Sequence, residues 1–258
     1  NVTVSSTAPT RAGYTFTGWD AAADGSGTDY AGGATYTLPN SGTDTLYAQW
    51  QINTATLAYN AQGGSGAPGN QTGNAASNVT VSNTAPTRAG YTFTGWDTAA
   101  NGSGTDYAGG ATYTLPNSGT DTLYAQWQIN TVTLTYDAQG GSGKPGDQTG
   151  NAAANVTVSS TVPTRSGYTF TGWDAATDGS GTDYAGGATY TLPNSGTATL
   201  YAQWQINTVT LTYNAQGGSG KPGDQTGNAA SNVTVSSTVP TRAGYTFTGW
   251  DTVANGSG

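Results

Sequence analysis

Apolar and polar positions alternate along a short stretch that occurs four times in the chain. Residues 90–96 read GYTFTGW, with bulky aromatic side chains set between threonines. This alternation of aromatic and β-branched residues is typical of a β-strand. The same seven letters recur so that four tryptophans stand 77 residues apart, at Trp19, Trp96, Trp173 and Trp250. The chain is therefore a tandem array of one repeat, and its function has to be that of an array.

Within one repeat the pattern predicts five short strands, at residues 54–59, 79–82, 91–96, 112–115 and 122–127. Proline at 86 and glycine at 90 favour a single helical turn over residues 85–90. Residues 116–119 form a turn, and 97–110 form a loop rich in Gly, Asp and Asn. The Gly-rich segment 61–77 is long for a compact repeat, so part of it pairs loosely or carries function.

The letters QINT at residues 51–54 mark the most natural boundary between repeats. On that phase the chain holds a partial repeat 1–52, full repeats 53–129 and 130–206, and a partial repeat 207–258. The full repeats agree at 64 of 77 positions. No flexible Gly/Ser linker separates them, so we expect a semi-rigid string that gains roughly 30–40 Å per repeat. Both sequence ends fall in mid-repeat, and we read them as cuts within a longer array.

A single 77-residue repeat has a small core, and its aromatic residues have to supply most of the buried area. For Tyr107 and Tyr124 the sequence leaves three roles open: exposure at the surface, packing at a junction between repeats, or ligand contact. Two tryptophans per repeat are a conceivable sugar-stacking platform, but the strand ends at which they stand favour the core. We predict a structural core formed by Tyr91, Phe93, Trp96, Leu123, Trp127, Tyr168, Phe170, Trp173, Leu200 and Trp204.

Composition excludes several classes of function. The chain has no Cys, His, Met or Glu, so all 14 acidic residues are Asp, and the formal charge is −8. That charge argues against nucleic acid and anionic membrane as partners, and no apolar run approaches the 18 residues of a membrane span. Without His, Cys or Glu the usual nucleophile–base pairs cannot be assembled. We therefore expect no enzyme, no catalytic residues and no cofactor.

Three ordered motifs of each repeat carry a resemblance. They are GYTFTGW at 90–96, GTDY at 104–107 and TLYAQW at 122–127, and YNAQGG at 59–64 and PTR at 86–88 accompany them. Together they resemble the Listeria–Bacteroides repeat, the B-repeat of internalin-type bacterial surface proteins. The resemblance covers every repeat and implies small β-grasp-like domains in tandem on large secreted or wall-attached proteins. Such repeats are stalks or adhesion modules, with no agreed catalytic or binding residues to carry over.

Other short motifs have simpler readings as structure. LPNSG at 115–119 is similar to a sortase signal but occurs three times with no apolar tail, so it is a turn. Arg88 belongs to the one basic position filled in every copy, and an ion pair or a carbonyl cap is its expected role. Calcium, which takes six to eight oxygen ligands, is the alternative to a cofactor-free chain. Its candidate ligands are Asp97, Asn101, Asp106, Asp174, Asp178 and Asp183.

The leading hypothesis is a mainly β array of β-grasp-like repeats. It would act as a stalk, adhesin spacer or filament in a secreted or cell-surface protein, with neighbouring repeats as partners. The alternative is an adhesion module that binds a glycan or a host surface protein through the loops 60–77 and 97–110. Lateral self-association is a third hypothesis, because the polar strand edges carry few charges that would oppose pairing.

Overall fold

The fold is described by a computed structural model that covers residues 1–256. The chain forms two compact units, Asn1–Asn130 and a second that begins at Thr131. Across residues 1–256 the regular structure is all strand, with no helix, which confirms the mainly β prediction.

The strands of the first unit are β1 (Val2–Thr3), β2 (Tyr14–Asp20), β3 (Asp29–Tyr30), β4 (Thr35–Tyr36), β5 (Tyr47–Ile52), β6 (Thr54–Asn60), β7 (Gln71–Asn74), β8 (Asn78–Thr80), β9 (Tyr91–Asp97), β10 (Asp106–Tyr107), β11 (Thr112–Thr114) and β12 (Gly119–Ile129). Those of the second unit are β13 (Thr131–Asp137), β14 (Gln148–Asn151), β15 (Asn155–Thr157), β16 (Tyr168–Asp174), β17 (Asp183–Tyr184), β18 (Thr189–Thr191), β19 (Thr197–Ile206), β20 (Thr208–Leu211) and β21 (Gln225–Asn228).

Each complete repeat is built on one mixed five-stranded sheet. In residues 53–129 the strand order is β10-β9-β12-β6-β7, and in residues 130–206 it is β14-β13-β19-β16-β17. The first and last strands of the repeat pair in parallel, β6 with β12 and β13 with β19, and the other pairs are antiparallel. A mixed sheet whose first and last strands are parallel neighbours is typical of β-grasp folds.

The alternating pattern of β6 places one face of the sheet in the core. Ala55, Leu57 and Tyr59 are buried, while the residues between them are half-buried. Leu123 of β12 and Trp96 of β9 pack against this row, and both are at most 1% exposed. Burying a leucine side chain contributes about 1.5–3 kcal/mol relative to leaving it in water. The core of each complete repeat is therefore assembled from its own first, middle and last strands.

A β-bulge adjusts the alternation of the GYTFTGW strand. Phe93 and Trp96 are three residues apart, so strict alternation would send their side chains to opposite faces. The register of β9 against β12 shifts between Gln126 and Trp127, which leaves one extra residue in β9. Phe93 and Trp96 consequently meet edge to face, with ring centroids 5.1 Å apart. Gly95, at φ 149°, takes the backbone conformation that this bulge requires.

Two details of the predicted strand pattern were wrong. A complete repeat has seven strands rather than five, because β7 lies in the Gly-rich segment 61–77 and β10 in the loop 97–110. The helical turn at residues 85–90 is absent. Thr87 instead exchanges both backbone hydrogen bonds with Ser65, at 2.8 and 2.9 Å, and this pairing requires an extended backbone.

The incomplete repeats show what the last strand does for the first. In residues 207–256, β20 pairs only with β21, and Val209 and Leu211 are 50% and 37% exposed. Their counterparts in the complete repeat, Val132 and Leu134, are at most 1% exposed beside β19. The parallel pairing of first and last strands therefore closes the core.

Candidate functional site

A buried aspartate holds the loop 97–110, which was considered as a calcium or ligand site, and its counterparts in the first and third copies. Asp97 ends β9 and is fully buried, and its Oδ1 accepts hydrogen bonds from the backbone N–H groups of Ala99 and Gly104. A Cβ at Gly104 would lie 2.5 Å from that oxygen, so only glycine fits there. Asp20 and Asp174 make the same contacts in their repeats. The carboxylate thus closes the loop by capping its backbone.

The calcium candidates lie three to a loop, with Asp97, Asn101 and Asp106 in one repeat and their equivalents Asp174, Asp178 and Asp183 in the next. Asp106 lies opposite Asp97 in the β9–β10 register but is exposed. Asn101 points its Oδ1 at the N–H and hydroxyl of Ser103, and Asp178 does the same with Ser180. Within residues 1–256 no group of three or more acidic side chains could hold a metal ion. The calcium alternative therefore stays a prediction, without a preformed ligand set to support it.

The exposed and the buried aspartates of these loops differ in how their carboxylates are hydrogen-bonded. The Ser180 hydroxyl and N–H hold the pKa of Asp178 below its ordinary value, and Ser26 does the same for Asp24. The second oxygen, Oδ2, of Asp97 is buried without a hydrogen-bond partner among the described protein atoms, as it is in Asp20 and Asp174. An unpartnered buried oxygen costs free energy, so the two N–H bonds to Oδ1 have to offset that cost.

The ten residues predicted as core divide into two groups. Trp96, Leu123, Trp173 and Leu200 are fully buried, whereas the half-buried residues are Tyr91, Phe93, Trp127, Tyr168, Phe170 and Trp204. The two phenylalanines pack edge to face on the half-buried tryptophans, with ring centroids 5.7 and 5.6 Å apart. Tyr91 and Tyr168 instead lie beneath arginines.

The arginine found in every copy of the repeat stacks on the tyrosine three residues later. The Arg88 guanidinium carbon lies 4.0 Å from the centre of the Tyr91 ring, and its Nη1 donates to the Gln62 carbonyl at 3.3 Å. A cation over an aromatic ring stabilises by about 0.5–1 kcal/mol at exposed sites. The carbonyl-cap interpretation of Arg88 therefore agrees with the structure, while the stacking on Tyr91 was not anticipated.

A tryptophan packs against the Gly-rich segment 61–77. The indole N–H of Trp127 donates to the Ala61 carbonyl at 3.0 Å, and Trp204 makes the same bond to Ala138. A Cβ on Gly64 would lie 2.6 Å from Trp127 Cζ2 and 2.8 Å from the Thr87 carbonyl oxygen. Close packing therefore requires glycine at position 64. From the sequence alone, this glycine indicates only a turn.

A single asparagine connects consecutive repeats and bonds to both. The N–H of Asn53 donates to the Gly13 carbonyl at 2.9 Å, and its Oδ1 accepts from the Thr15 hydroxyl at 2.6 Å. Toward the following repeat, its Nδ2 donates to the Asn117 carbonyl at 3.1 Å, and its own carbonyl accepts from the N–H of Ala75 at 2.8 Å. The letters QINT mark the boundary here, but nothing in the sequence pattern predicts that Asn53 bonds to both repeats.

The joint recurs within the second unit. There Asn207 donates its N–H to Gly167 at 2.9 Å, accepts from Thr169 Oγ1 at 2.6 Å, and accepts from the Ala229 N–H at 2.8 Å. One residue separates β5 from β6, and one separates β19 from β20. Four bonds at a one-residue connection, two to each side, leave Asn53 little freedom to rotate.

Two clefts lie in the incomplete repeats. One of about 620 Å³ is lined by residues such as Tyr245, Phe247 and Trp250, and one of about 290 Å³ by Val4, Trp19 and others. In the complete repeats these aromatic positions pack beside first and last strands of the same repeat. The smaller cleft marks uncovered core. The larger cleft is also lined by residues 214–216 and 253–256, which are the counterparts of residues 60–62 and 99–102 in the loops 60–77 and 97–110.

Comparison with known proteins places these features in a wider group. The sequence profile of the Listeria-Bacteroides repeat domain matches residues 1–49, 56–126, 133–203 and 210–258. The chain is 33% identical over 254 residues to a putative Gly-rich membrane protein of Evansella cellulosilytica, a match that covers 93% of this chain and 27% of the relative. It is 42% identical over 131 residues to internalin H of Listeria monocytogenes, covering 48% of this chain and 21% of the relative.

A third relative is a putative membrane protein of Evansella cellulosilytica, 35% identical over 175 residues, with 64% of this chain and 24% of the relative covered. The chain thus spans about a quarter of the length of these relatives. Among residues 1–256 there is no helix long and apolar enough to cross a membrane. Four matched segments account for nearly the whole sequence, and the chain belongs to the Listeria-Bacteroides repeat family.

Proposed function

We propose that this chain is the structural repeat region of a long extracellular bacterial surface protein, acting as a stalk or spacer. The family membership supports this role, and so do relatives that bear the names internalin and membrane protein. Each complete repeat closes its own core, so a repeat can be added without rebuilding its neighbours. The role requires length and stiffness rather than a reactive site.

The observation that carries the proposal is the asparagine joint. A spacer holds its load at a fixed distance only if successive repeats keep a fixed angle. Asn53 and Asn207 connect repeats through one residue and are hydrogen-bonded on both sides. A binding module on a flexible tether would need no such bonds at its boundary.

The acidic residues also support a role without catalysis. The buried carboxylates of Asp20, Asp97 and Asp174 cap loop backbone. With no His, Cys or Glu in the sequence, no partner of the usual kind is available to turn such a carboxylate into a general acid–base pair. We therefore assign these groups to stability.

A reach assay tests the spacer role. One, two or three copies of residues 53–129 are placed between a cell-surface anchor and a fluorescent reporter, and the height of the reporter above the membrane is measured. The proposal expects equal steps of roughly 30–40 Å per copy. Flexible Gly/Ser segments of equal residue number are the control, because their reach grows only with the square root of length. Square-root growth for the repeats would contradict the proposal.

The same chain, applied to a glycan array and to host-cell surface proteins, tests the binding alternative. The spacer proposal expects no saturable binding by the repeats. Saturable binding that is lost when the loop 97–110 is substituted would instead identify an adhesion module.

A further inference from the structure

The first and last strands of each complete repeat run side by side in the same direction. In residues 53–129, β6 pairs with β12 from Ala55 opposite Gly119 to Asn60 opposite Tyr124. In residues 130–206, β13 pairs with β19 from Thr133 opposite Thr197 to Asp137 opposite Tyr201. The chain enters a repeat at the start of its first strand and leaves at the end of its last. The two chain ends therefore leave this parallel ladder in opposite directions.

This arrangement decides how a repeat meets tension along the chain. A pull on the two ends draws β6 back toward its start and β12 forward toward its end, parallel to both strands. The hydrogen bonds of the ladder connect neighbouring strands and lie across that direction. All of them are consequently loaded together, in shear. In an antiparallel hairpin pulled from its open end, the bonds are loaded one after another.

The surroundings of the ladder protect it from water. β7 pairs with Thr54–Leu57 on the other edge of β6, and β9 pairs with β12 from Tyr124 onward, where the ladder ends. Leu57 and Leu123, which come from the two strands, are both 0% exposed. In the second repeat the hydroxyls of Thr135 and Thr199 add a side-chain hydrogen bond across the ladder at 2.9 Å. Water thus has poor access to the ladder around Leu57 and Leu123, and these leucines would have to slide past each other, whereas the ladder is exposed at Gly119 and Thr120.

We infer that the β6–β12 and β13–β19 ladders are shear clamps, which make each complete repeat load-bearing along the chain. The inference deepens the proposed stalk function, since a stalk between an anchor and a bound surface carries tension. Among the described residues, neither incomplete repeat contains such a ladder. Strands β2, β3 and β5 pair antiparallel, and so do β20 and β21. The molecule thus carries its own comparison.

Single-molecule pulling with two cysteine handles tests the clamp directly. The sequence has no cysteine, so each introduced thiol is a unique attachment point. In the full chain, T54C with Q128C loads the ladder in shear. T54C with N74C pulls on residues that are opposite each other in the β6–β7 hairpin and unzips it. All three positions are exposed, so the substitutions spare the core.

The clamp predicts that the shear pair ruptures at a force at least twice that of the unzipping pair at the same pulling speed. The denaturation midpoints of the two variants should be alike, because all the substituted positions are exposed. A difference in rupture force would then come from the pulling direction, since forced unfolding follows the unfolding rate and not equilibrium stability. Equal rupture forces would overturn the inference. If a variant in the first repeat misfolds, T131C with Q205C and T131C with N151C provide the same pair of geometries in the second.

Pulling the whole chain from its ends gives an independent readout. Two high-force events are expected, one for each complete repeat, and each should release roughly 250 Å of chain. The incomplete repeats should extend at low force. An absence of high-force events would also overturn the clamp, yet it would leave the reach assay untouched. A repeat that gives equal height steps but ruptures at low force is a spacer that carries no load.

Discussion

The phenol of Tyr113 donates a 2.7 Å hydrogen bond to the carboxylate of Asp121. Burial, this bond and the negative charge of Asp121 all raise the pKa of Tyr113 above its ordinary value, and burial is the largest cause. In the second complete repeat Ala198 stands where Asp121 does, and burial and Tyr184 alone raise the pKa of Tyr190. The two repeats thus offer the same tyrosine with and without its carboxylate.

Replacing Asp121 by alanine should lower the pKa of Tyr113 toward that of Tyr190. A tyrosine whose pKa is raised in the folded state adds stability below its unfolded pKa of about 10, and this contribution is lost as the pH rises above that value. As the pH rises above about 10, D121A should therefore lose less folding stability than the parent chain does. Tyrosine Cζ chemical shifts followed through a pH titration measure the change. A Tyr113 pKa that does not move would contradict the assignment.

Gly64→Ala should destabilise the first complete repeat by about 1–3 kcal/mol, because the new methyl group overpacks its site. Its Cβ would lie 2.6 Å from Trp127 Cζ2, and the backbone carbonyl of Thr87 blocks the other side. Gly69→Ala is the matched control, since nothing lies within 4 Å of its Cβ. Urea denaturation followed by tryptophan fluorescence compares the two. Equal midpoints would show that the packing of Trp127 does not require glycine at position 64.

Asp97→Ala should cost about 2–3 kcal/mol, since two loop N–H groups lose a charged acceptor. Asp97→Asn keeps an oxygen at the same place and should cost less. Asp106→Ala is the control: the residue is exposed, so its replacement should stay within about 0.5 kcal/mol of the parent. Thermal unfolding of the three variants gives the order, and an Asp97→Ala chain as stable as the Asp106→Ala chain would refute the capping role.

Calcium should leave the unfolding temperature unchanged, because the loop oxygens of Asp97 and Asn101 already accept hydrogen bonds from the loop itself. Calorimetry with millimolar calcium, and then with a chelator, makes the comparison. A calcium-dependent rise that disappears in Asp97→Asn would establish the calcium alternative instead.

Much of the fold followed from periodicity. The four copies of one heptapeptide located the repeats, and alternation found five of the seven strands within each complete repeat. The two strands that were missed, β7 and β10, have four and two residues. Gln71, Thr72, Gly73 and Asn74 show no apolar alternation, so their pairing with β6 depends on tertiary contact that no local pattern reveals.

The bulge and the joint were hidden for different reasons. Phe93 and Trp96 share a face only because the register slips by one residue, and register is a property of two strands. Asn53 looks like an ordinary turn residue in the sequence. Its importance comes from Thr15 and Asn117, which stand 38 and 64 residues away.

Asn53→Ala should loosen the connection between the repeats that it joins, because it removes both side-chain bonds and leaves the backbone bonds in place. Spin labels on the exposed T28C and T105C report the distance between these repeats, and the distribution should broaden in the variant. Asn78→Ala is the control, since Asn78 bonds Thr114 within one repeat. An unchanged width for Asn53→Ala would mean that the asparagine does not stiffen the joint.

Small-angle scattering of the 258-residue chain tests most directly whether the repeats form a string of separate cores. A single globule of that length would have a radius of gyration of about 18 Å, whereas a row of small repeats should give a value on the order of 30 Å. The account predicts the larger value, with a maximum dimension that grows in equal steps as repeats are added. A radius of gyration near the smaller value, with a particle that stays globular as repeats are added, would contradict it.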